Sequence, residues 1–286
     1  MARVPQQAHR RLKVFVFLTA VSAIAIIGML MFASYTDELS KNRNYLTLGF
    51  NHIFVLRKRG NEQRRRVMAK QLQFQGIPFG FFPALTEYDI EHSEDYAPWI
   101  GEEHWTEVPR NHTQSTELLA DFRTHMNVIN DIVRLEFGSA LVLGDRIDME
   151  VDIKQYMQGI VAELPLSWEI LYLGHCSEPE THRPTLLHDK LFVAYQPRCA
   201  FAYAVSRQGA IRLKRILDNM WPYPQFAFDQ QLAELVRPLY LEAYVVEPPL
   251  VAESGSAAEG HTPSAQIRRL GRSTLGKMGI SGVNTK

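Results

Sequence analysis

The sequence carries no net charge, because 31 basic and 31 acidic residues cancel over its 286 positions. This balance excludes the basic surface with which proteins bind nucleic acid as a whole, so any site for a polyanion must be local. No internal repeat is present, so the chain is not a repeat array. A hydrophobic fraction of 46% beside 22% charged residues excludes disorder throughout and is typical of one or two globular domains.

Cysteine is scarce as well, since Cys176 and Cys199 are the only two in the chain. In an oxidising compartment they would close one loop through a disulfide bond. Two buried free thiols are the alternative, and the sequence leaves both interpretations open.

One stretch of the chain is long, apolar and uncharged. Residues 14–33 read VFVFLTAVSAIAIIGMLMFA, about the ~20 residues that a membrane-spanning helix requires. Four basic residues and no acid precede it, whereas Asp37 and Glu38 follow it, so the positive-inside rule predicts a cytosolic N-terminus. A cleaved signal peptide is the alternative, but its apolar core is usually ~7–15 residues. We therefore predict a signal anchor at 14–33, a cytosolic tail at 1–13 and a lumenal main domain.

The chain after the predicted anchor divides into three parts. Residues 34–51 are polar and suit a stem, residues 52–252 form the main domain, and residues 253–286 are rich in small and basic residues and predict a flexible tail. Asn111 begins the glycosylation sequon Asn-His-Thr, which has a physical meaning only in the secretory lumen.

Apolar runs of strand length alternate with amphipathic helical patterns through the main domain. Strands are predicted at 52–56, 79–82, 140–143, 168–174, 199–206 and 239–246. Helices are predicted at 57–75, 116–137, 153–164, 209–220 and from 228 onward. This alternation predicts an α/β fold with a mostly parallel sheet.

The predicted strand at 140–143 is followed at once by a charged segment, Gly144-Asp145-Arg146-Ile147-Asp148-Met149-Glu150. Proteins of the α/β class place their ligand chemistry at such strand ends. Carboxylates gathered there can bind Mg²⁺ or Mn²⁺ together with a diphosphate. A strand with an ordinary solvated exit is the alternative interpretation.

Seven segments of the main domain carry a resemblance to a known family. They are IFVLRKRGNEQRRRVM at 53–68, DFRTHMNVINDIV at 121–133, ALVLGDRID at 140–148, WEILYLGHC at 168–176, CAFAYAVSRQGAIRL at 199–213, FAFDQQLAEL at 226–235 and VVEPPLV at 245–251. In their order and spacing they resemble glycosyltransferase family 25. This family includes bacterial lipopolysaccharide galactosyltransferases and procollagen galactosyltransferases, and the chain looks most similar to its fungal members. The resemblance covers about His52 to Val251.

The resemblance implies a GT-A-like, Rossmann-type fold that binds a nucleotide sugar. It also implies an enzyme of the Golgi or endoplasmic reticulum lumen that moves a hexose, typically galactose from a UDP-sugar, onto a glycan or glycoprotein. A short cytosolic tail, one span, a stem and a lumenal domain are the plan of Golgi transferases, which agrees with the predicted topology.

One departure from the family affects the charged segment. The family's strand usually ends in Glu-Asp-Asp, and these positions are Gly144, Asp145 and Arg146 here. A weakened Mn²⁺ site that uses Asp145 and Asp148 is one expectation, and direct binding of the diphosphate by the Arg146 guanidinium is another. A third is a catalytically inactive family member that binds a nucleotide sugar or glycan or supports a partner transferase.

Asp145 and Asp229 are the predicted catalytic residues. Asp145 is the surviving acid of the motif and would contact a metal or the ribose, with a solvated loop aspartate as the alternative. Asp229 matches an acid in the second half of the family and would take the proton of the acceptor hydroxyl. The alternative for Asp229 is an acid that favours the helix dipole at a helix N-terminus.

The remaining site predictions concern basic residues and histidines. Arg64 and Arg65 match an arginine pair that would hold the donor phosphates, with a solvated basic helix face as the alternative. His125 matches a histidine of the family and would face the donor, or it is a packed, hydrogen-bonded structural histidine. His175, after a strand-ending glycine, would line the acceptor side.

Overall fold

A computed structural model gives the fold of the chain. It describes residues 26–27, 29, 45–93, 112–176, 190–220, 227–236, 240–254 and 270–280. Of the predicted membrane anchor only Ile26, Ile27 and Met29 are described, and these are helical. Within these described ranges, no helix is both long and apolar enough to cross a membrane. The rest of 14–33 and Asn111 of the sequon lie outside the described residues.

Residues Leu46–Lys286 form one compact unit, built on a seven-stranded sheet in the order β2-β1-β3-β7-β5-β8-β6. The strands are β1 (His52–Arg57), β2 (Gly80–Pro83), β3 (Ser139–Leu143), β5 (Ile170–Gly174), β6 (Leu191–Val193), β7 (Ala202–Ser206) and β8 (Ala243–Val246). A second sheet pairs β4 (Ile147–Met149) with β9 (Val251–Glu253). The helices are α1 (Glu62–Phe74), α2 (Glu87–Glu91), α3 (His112–Arg134), α4 (Ile153–Glu163), α5 (Arg207–Met220), α6 (Phe228–Val236) and α7 (Thr274–Lys277).

Five strands of the large sheet run in one direction, and β6 and β7 run in the other. The predicted α/β fold with a largely parallel sheet is therefore confirmed, with one reversed strand, β7, in its interior. Because β7 is antiparallel to β3, the start of β7 lies at the same edge as the end of β3. Leu143, the last residue of β3, pairs with Ala202, the first of β7.

The sheet is buried on both faces, which gives the protein two hydrophobic cores. Along β3, Leu141 and Leu143 point into one core with α1 and α4, whereas Ala140 and Val142 point into the other with α3, α5 and α6. This alternation explains why the predicted strand at 140–143 is continuously apolar, since a strand covered on both faces has no solvent side. The result is a three-layer α/β/α arrangement.

The main domain extends beyond its predicted limits at both ends. Leu48 and Phe50, in the predicted stem, are buried in the core with α4. Residues 270–280, in the predicted flexible tail, contain α7, whose Thr274 and Leu275 are buried. Apolar side chains at these positions can be buried only by distant partners, which a local reading of composition does not reveal.

Candidate functional site

A cavity of about 430 Å³ lies at the sheet edge where β1 and β3 end and β7 begins. Its lining includes the charged side chains Arg59, Glu87, Glu117 and Glu253, together with six ionisable side chains that are considered below. They are Lys58, Asp121, His125, Asp145, Arg146 and Asp229. The sequence placed ligand chemistry at the end of β3, and the cavity lies there.

Asp145 follows β3 and is half-buried in the cavity wall. Burial raises the pKa of Asp145 because the charged carboxylate is poorly solvated. The positive charges of Arg64, Arg146 and Lys58 act in the opposite direction, as does a hydrogen bond from the backbone N–H of Lys58. One carboxylate therefore faces three cationic side chains.

This composition does not fit a tightly held divalent cation. Within the described ranges, no three His, Cys, Asp or Glu side chains come together as metal ligands. A dication requires several oxygen ligands, and fixed positive charges beside Asp145 repel it. The same positive charges suit an anion such as a diphosphate.

Asp148, the other predicted metal ligand, is buried and is not among the lining residues. Its carboxylate accepts a hydrogen bond from Ser273 Oγ and one of 3.0 Å from the backbone N–H of Leu275. Glu150 likewise accepts from the backbone N–H of Arg272, at 3.1 Å. These two acids hold the segment of α7 against β4.

The two predicted phosphate-binding arginines of α1 are placed differently. Arg64 is near enough to Asp145 to oppose the rise in its pKa. Arg65 forms an ion pair of 2.6 Å with Glu62, and its guanidinium lies 5.9 Å from the centre of the Phe81 ring. Neither arginine is among the lining residues, and of the two only Arg64 is close enough to Asp145 to act on its pKa.

His125 is buried on α3, and one side of its ring reaches the cavity. Its Nδ1 lies 2.8 Å from the hydroxyl of Tyr203, and its ring stacks on Phe228 with 4.3 Å between centroids. Burial lowers the pKa of His125, which Asp121 and Asp229 partly offset. The lowered pKa favours the neutral imidazole near pH 7. Its Nδ1 shares a hydrogen bond with the Tyr203 hydroxyl, and its Nε2 lies 3.8 Å from Asp121 Oδ1. These contacts match the packed, hydrogen-bonded histidine that the sequence offered as an alternative.

Asp229 lies in the first turn of α6 and is half-buried in the cavity wall. Its Oδ2 accepts a hydrogen bond of 3.2 Å from the backbone N–H of Cys199. The stacking of Phe228 on His125 fixes the same turn from the other side. Asp229 is thus a carboxylate in a fixed position in the cavity wall.

Sequence reasoning missed two lining residues, Asp121 and Lys58. Asp121 lies one turn before His125 on α3, with 3.8 Å between its Oδ1 and Nε2 of the histidine. Lys58 follows β1, which is parallel to β3, so both strands deliver their next residues to the same edge. The i,i+4 spacing from His125 and the parallel pairing were the signals that could have identified them.

The two remaining predictions concern His175 and the cysteines. His175 is fully buried, and its Nε2 lies 2.9 Å from Glu247 Oε1. It is not among the residues that line the cavity, contrary to the prediction that it lines the acceptor side. Cys176 and Cys199 form a disulfide bond, with 5.5 Å between their Cα atoms. The structure thus decides between the two interpretations that the sequence left open.

Comparisons with known proteins match most of this domain. Residues 50–221 match the sequence profile of Glycosyltransferase family 25 (LPS biosynthesis protein). The chain is 26% identical over 189 residues to Procollagen galactosyltransferase 1 of Danio rerio, which covers 63% of this chain and 31% of that protein. It is 26% identical over 204 residues to a Glycosyltransferase 25 family member of Drosophila melanogaster, which covers 67% and 32%, respectively. The matched part therefore spans about a third of the length of these relatives.

Proposed function

The chain belongs to glycosyltransferase family 25. From this premise we propose that it transfers a hexose, namely galactose, from a UDP-sugar to a glycan or glycoprotein. The observation that carries the proposal is the cavity at the end of β3, which is cationic around Asp145 and acidic around Asp229. A donor with two phosphates suits the first half, and an acceptor hydroxyl suits the second. The GT-A-like character of the fold, inferred from the sequence, is part of the proposal.

The donor end of the cavity would hold the diphosphate. Arg146 presents a planar guanidinium that can bind two phosphate oxygens, and Lys58 adds a second positive charge. As the bond between the sugar C1 and the phosphate oxygen breaks, negative charge builds on the departing UDP. Cations already fixed nearby stabilise that charge, which is commonly worth several kcal/mol in such reactions.

The acceptor end would supply the base. The acceptor oxygen attacks C1 of the sugar while its proton passes to a carboxylate, for which we propose Asp229. The hydrogen bond from the backbone of Cys199 fixes one oxygen of this carboxylate. Asp121 and the neutral His125 lie beside it and would orient the acceptor hydroxyl.

We further propose that metal dependence is weak or absent. The strand end carries Gly144 and Arg146 where the family usually has acids, and Asp148 is engaged with α7. Arg146 would then take over part of the charge stabilisation that Mn²⁺ supplies in transferases that use it.

The proposed location is the Golgi or endoplasmic reticulum membrane, with residues 14–33 as a type II anchor and the domain in the lumen. The Cys176–Cys199 disulfide supports an oxidising compartment. One relative is named a procollagen galactosyltransferase, which agrees with the secretory pathway.

A second candidate function is a non-catalytic relative that binds a nucleotide sugar or glycan, or supports a partner transferase. The observation that favours it is the single carboxylate left among cations at the end of β3. Such a site can bind UDP whether or not transfer follows.

The test measures turnover and binding on the full chain in detergent. UDP release from UDP-galactose and UDP-glucose is followed with and without Mn²⁺, on a panel of glycan and glycopeptide acceptors, and UDP binding is measured by calorimetry. Turnover that falls about 10²–10⁴-fold in Asp229→Asn, but not in the exposed control Asp218→Asn, supports the transferase. UDP binding without turnover on any acceptor supports the binding protein. If the protein shows neither UDP binding nor turnover, both candidate functions are refuted.

A further inference from the structure

The Cys176–Cys199 disulfide lies where two neighbouring strands separate at the cavity. Gly174 of β5 pairs with Ala202 of β7, and this is the last residue pair between the two strands. The backbone N–H of Cys176 donates to the carbonyl of Arg198 at 3.0 Å, and the disulfide joins the next residue, Cys199. The covalent bond therefore extends the connection between β5 and the segment 199–201 past the last strand pair.

Cys199 adopts a backbone conformation that a residue with a side chain rarely takes. Its φ is +65°, in the left-handed region that costs free energy for any residue except glycine. Surrounding structure must hold it there. In this conformation its N–H points to Asp229 Oδ2, 3.2 Å away.

The same segment also holds the loop that carries Asp145 and Arg146. The carbonyl of Phe201 accepts a hydrogen bond of 2.8 Å from the backbone N–H of Gly144. The ring of Phe201 lies over Gly174, where an added Cβ would approach it to 2.7 Å. Segment 199–201 therefore contacts β5 beneath it, Asp229 on one side and Gly144 on the other.

We propose that the Cys176–Cys199 disulfide is a positioning element of the candidate active site, which fixes the Asp229 carboxylate and the Gly144–Arg146 loop through segment 199–201. The catalytic part of this statement rests on the proposed transferase function, whereas the geometric part does not. An ordinary stabilising crosslink would raise the free energy of unfolding without affecting either contact. Cleaving a positioning disulfide instead loosens both contacts while the sheet stays folded.

The geometric part is tested by hydrogen–deuterium exchange on the full chain, with the disulfide intact and after reduction by tris(2-carboxyethyl)phosphine. We expect faster exchange in peptides that cover 143–146 and 199–201 after reduction, and unchanged exchange in β1 and the middle of α3. The variant Cys176→Ala/Cys199→Ala should resemble the reduced protein and should not respond to the reductant. Unchanged exchange at 143–146 and 199–201 in both the reduced protein and the double variant overturns the proposal.

The catalytic part is tested by kinetics on the same samples. Reduction should lower kcat about 10- to 100-fold, as expected when reacting groups lose their alignment, while the KM for the acceptor changes less. Reoxidation should restore kcat, which a loss by unfolding and aggregation would not allow. An oxidised wild-type protein without turnover on any acceptor refutes the proposed function, and the exchange data then still decide the geometric part. A reduced protein with loosened contacts and full kcat refutes the catalytic part alone.

Discussion

Asp148 in β4 accepts a hydrogen bond from the backbone N–H of Leu275, 127 residues further along the chain, at 3.0 Å. Ser273 Oγ donates to the other oxygen of the same carboxylate and also caps the N-terminus of α7, where it accepts from the backbone N–H of Gly276. Together with Glu150, this buried acid thus holds the segment 270–280 against the small sheet.

The first prediction concerns this acid. Asp148→Ala leaves the N–H of Leu275 and the hydroxyl of Ser273 without their acceptor, which should lower the free energy of unfolding by about 1–3 kcal/mol. Thermal unfolding followed by circular dichroism measures the change. Asp218→Ala, which removes an exposed acid paired with Lys214, is the control and should stay within about 0.5 kcal/mol of wild type. Equal melting temperatures for the two variants would contradict the structural role of Asp148.

The second prediction is that Arg146 binds the donor phosphates. Arg146→Ala should weaken UDP binding by roughly 10- to 100-fold, because a hydrogen bond to a charged group is worth about 1.5–3 kcal/mol. Arg146→Lys should restore binding only in part, since lysine lacks the planar fork of donors. Calorimetric titration with UDP measures both. Arg134→Ala, at an exposed arginine of α3 paired with Asp131, is the matched control and should bind like wild type.

The third prediction restores the acids that the family usually carries. Gly144→Glu with Arg146→Asp should shift the protein toward Mn²⁺ dependence, because two carboxylates join Asp145 and one fixed cation is removed. The position has room for a side chain, since an added Cβ at Gly144 would lie no closer than 3.6 Å to its neighbours. Calorimetric Mn²⁺ titration in the presence of UDP checks it. If wild type already binds Mn²⁺ tightly and loses activity to a chelator, this account of the loop is wrong.

The fourth prediction concerns pH and His125. Burial holds the pKa of His125 below its ordinary value of 6.5, so the unfolded chain binds the proton more readily than the folded one. The free energy of unfolding must therefore fall as pH decreases below about 6.5, by at most ~1.4 kcal/mol per pH unit for this one group. His125→Phe should keep the stacking on Phe228 and give a shallower decline between pH 6.5 and pH 5.

Denaturant unfolding at a series of pH values measures this slope. The pKa of His52 is also lowered by burial, so the variant should retain part of the pH dependence. The difference between the two slopes, rather than the wild-type slope alone, reports on His125. Identical slopes would mean that His125 does not titrate differently in the folded and unfolded states.

The sequence predicts the elements whose signal is local. β3 and α3 were found from a continuous apolar run and an apolar stripe, and the structure has them within a few residues of the expected bounds. A cavity lies at the strand end where the sequence predicts ligand chemistry. Asp145, Arg146 and Asp229 lie in it together, as expected from the resemblance.

The missed features depend on pairing over long distances. β4 and β9 have three residues each, and they form strands only by pairing with each other, with Ile147 opposite Glu253. When β9 is not known, the residues after Gly144 predict an acidic loop, and Asp148 is interpreted as a metal ligand. Asp121 is a different case, because its i,i+4 spacing from His125 can be read from the sequence, whereas only the tertiary fold shows that this side of α3 lines the cavity.

The pairing of β4 with β9 limits the order in which parts of the protein can fold during synthesis. Ser254 donates its backbone N–H to the carbonyl of Arg146 at 2.8 Å, so the Arg146 loop is held by residues made more than a hundred positions later. During synthesis, which proceeds at about 5–20 residues per second, β1 and β3 leave the ribosome well before β9 and α7. A nascent chain can therefore assemble half of its sheet with the donor end of the cavity still open on one side. The loop that carries Arg146 gains this contact only after Ser254 has been synthesised.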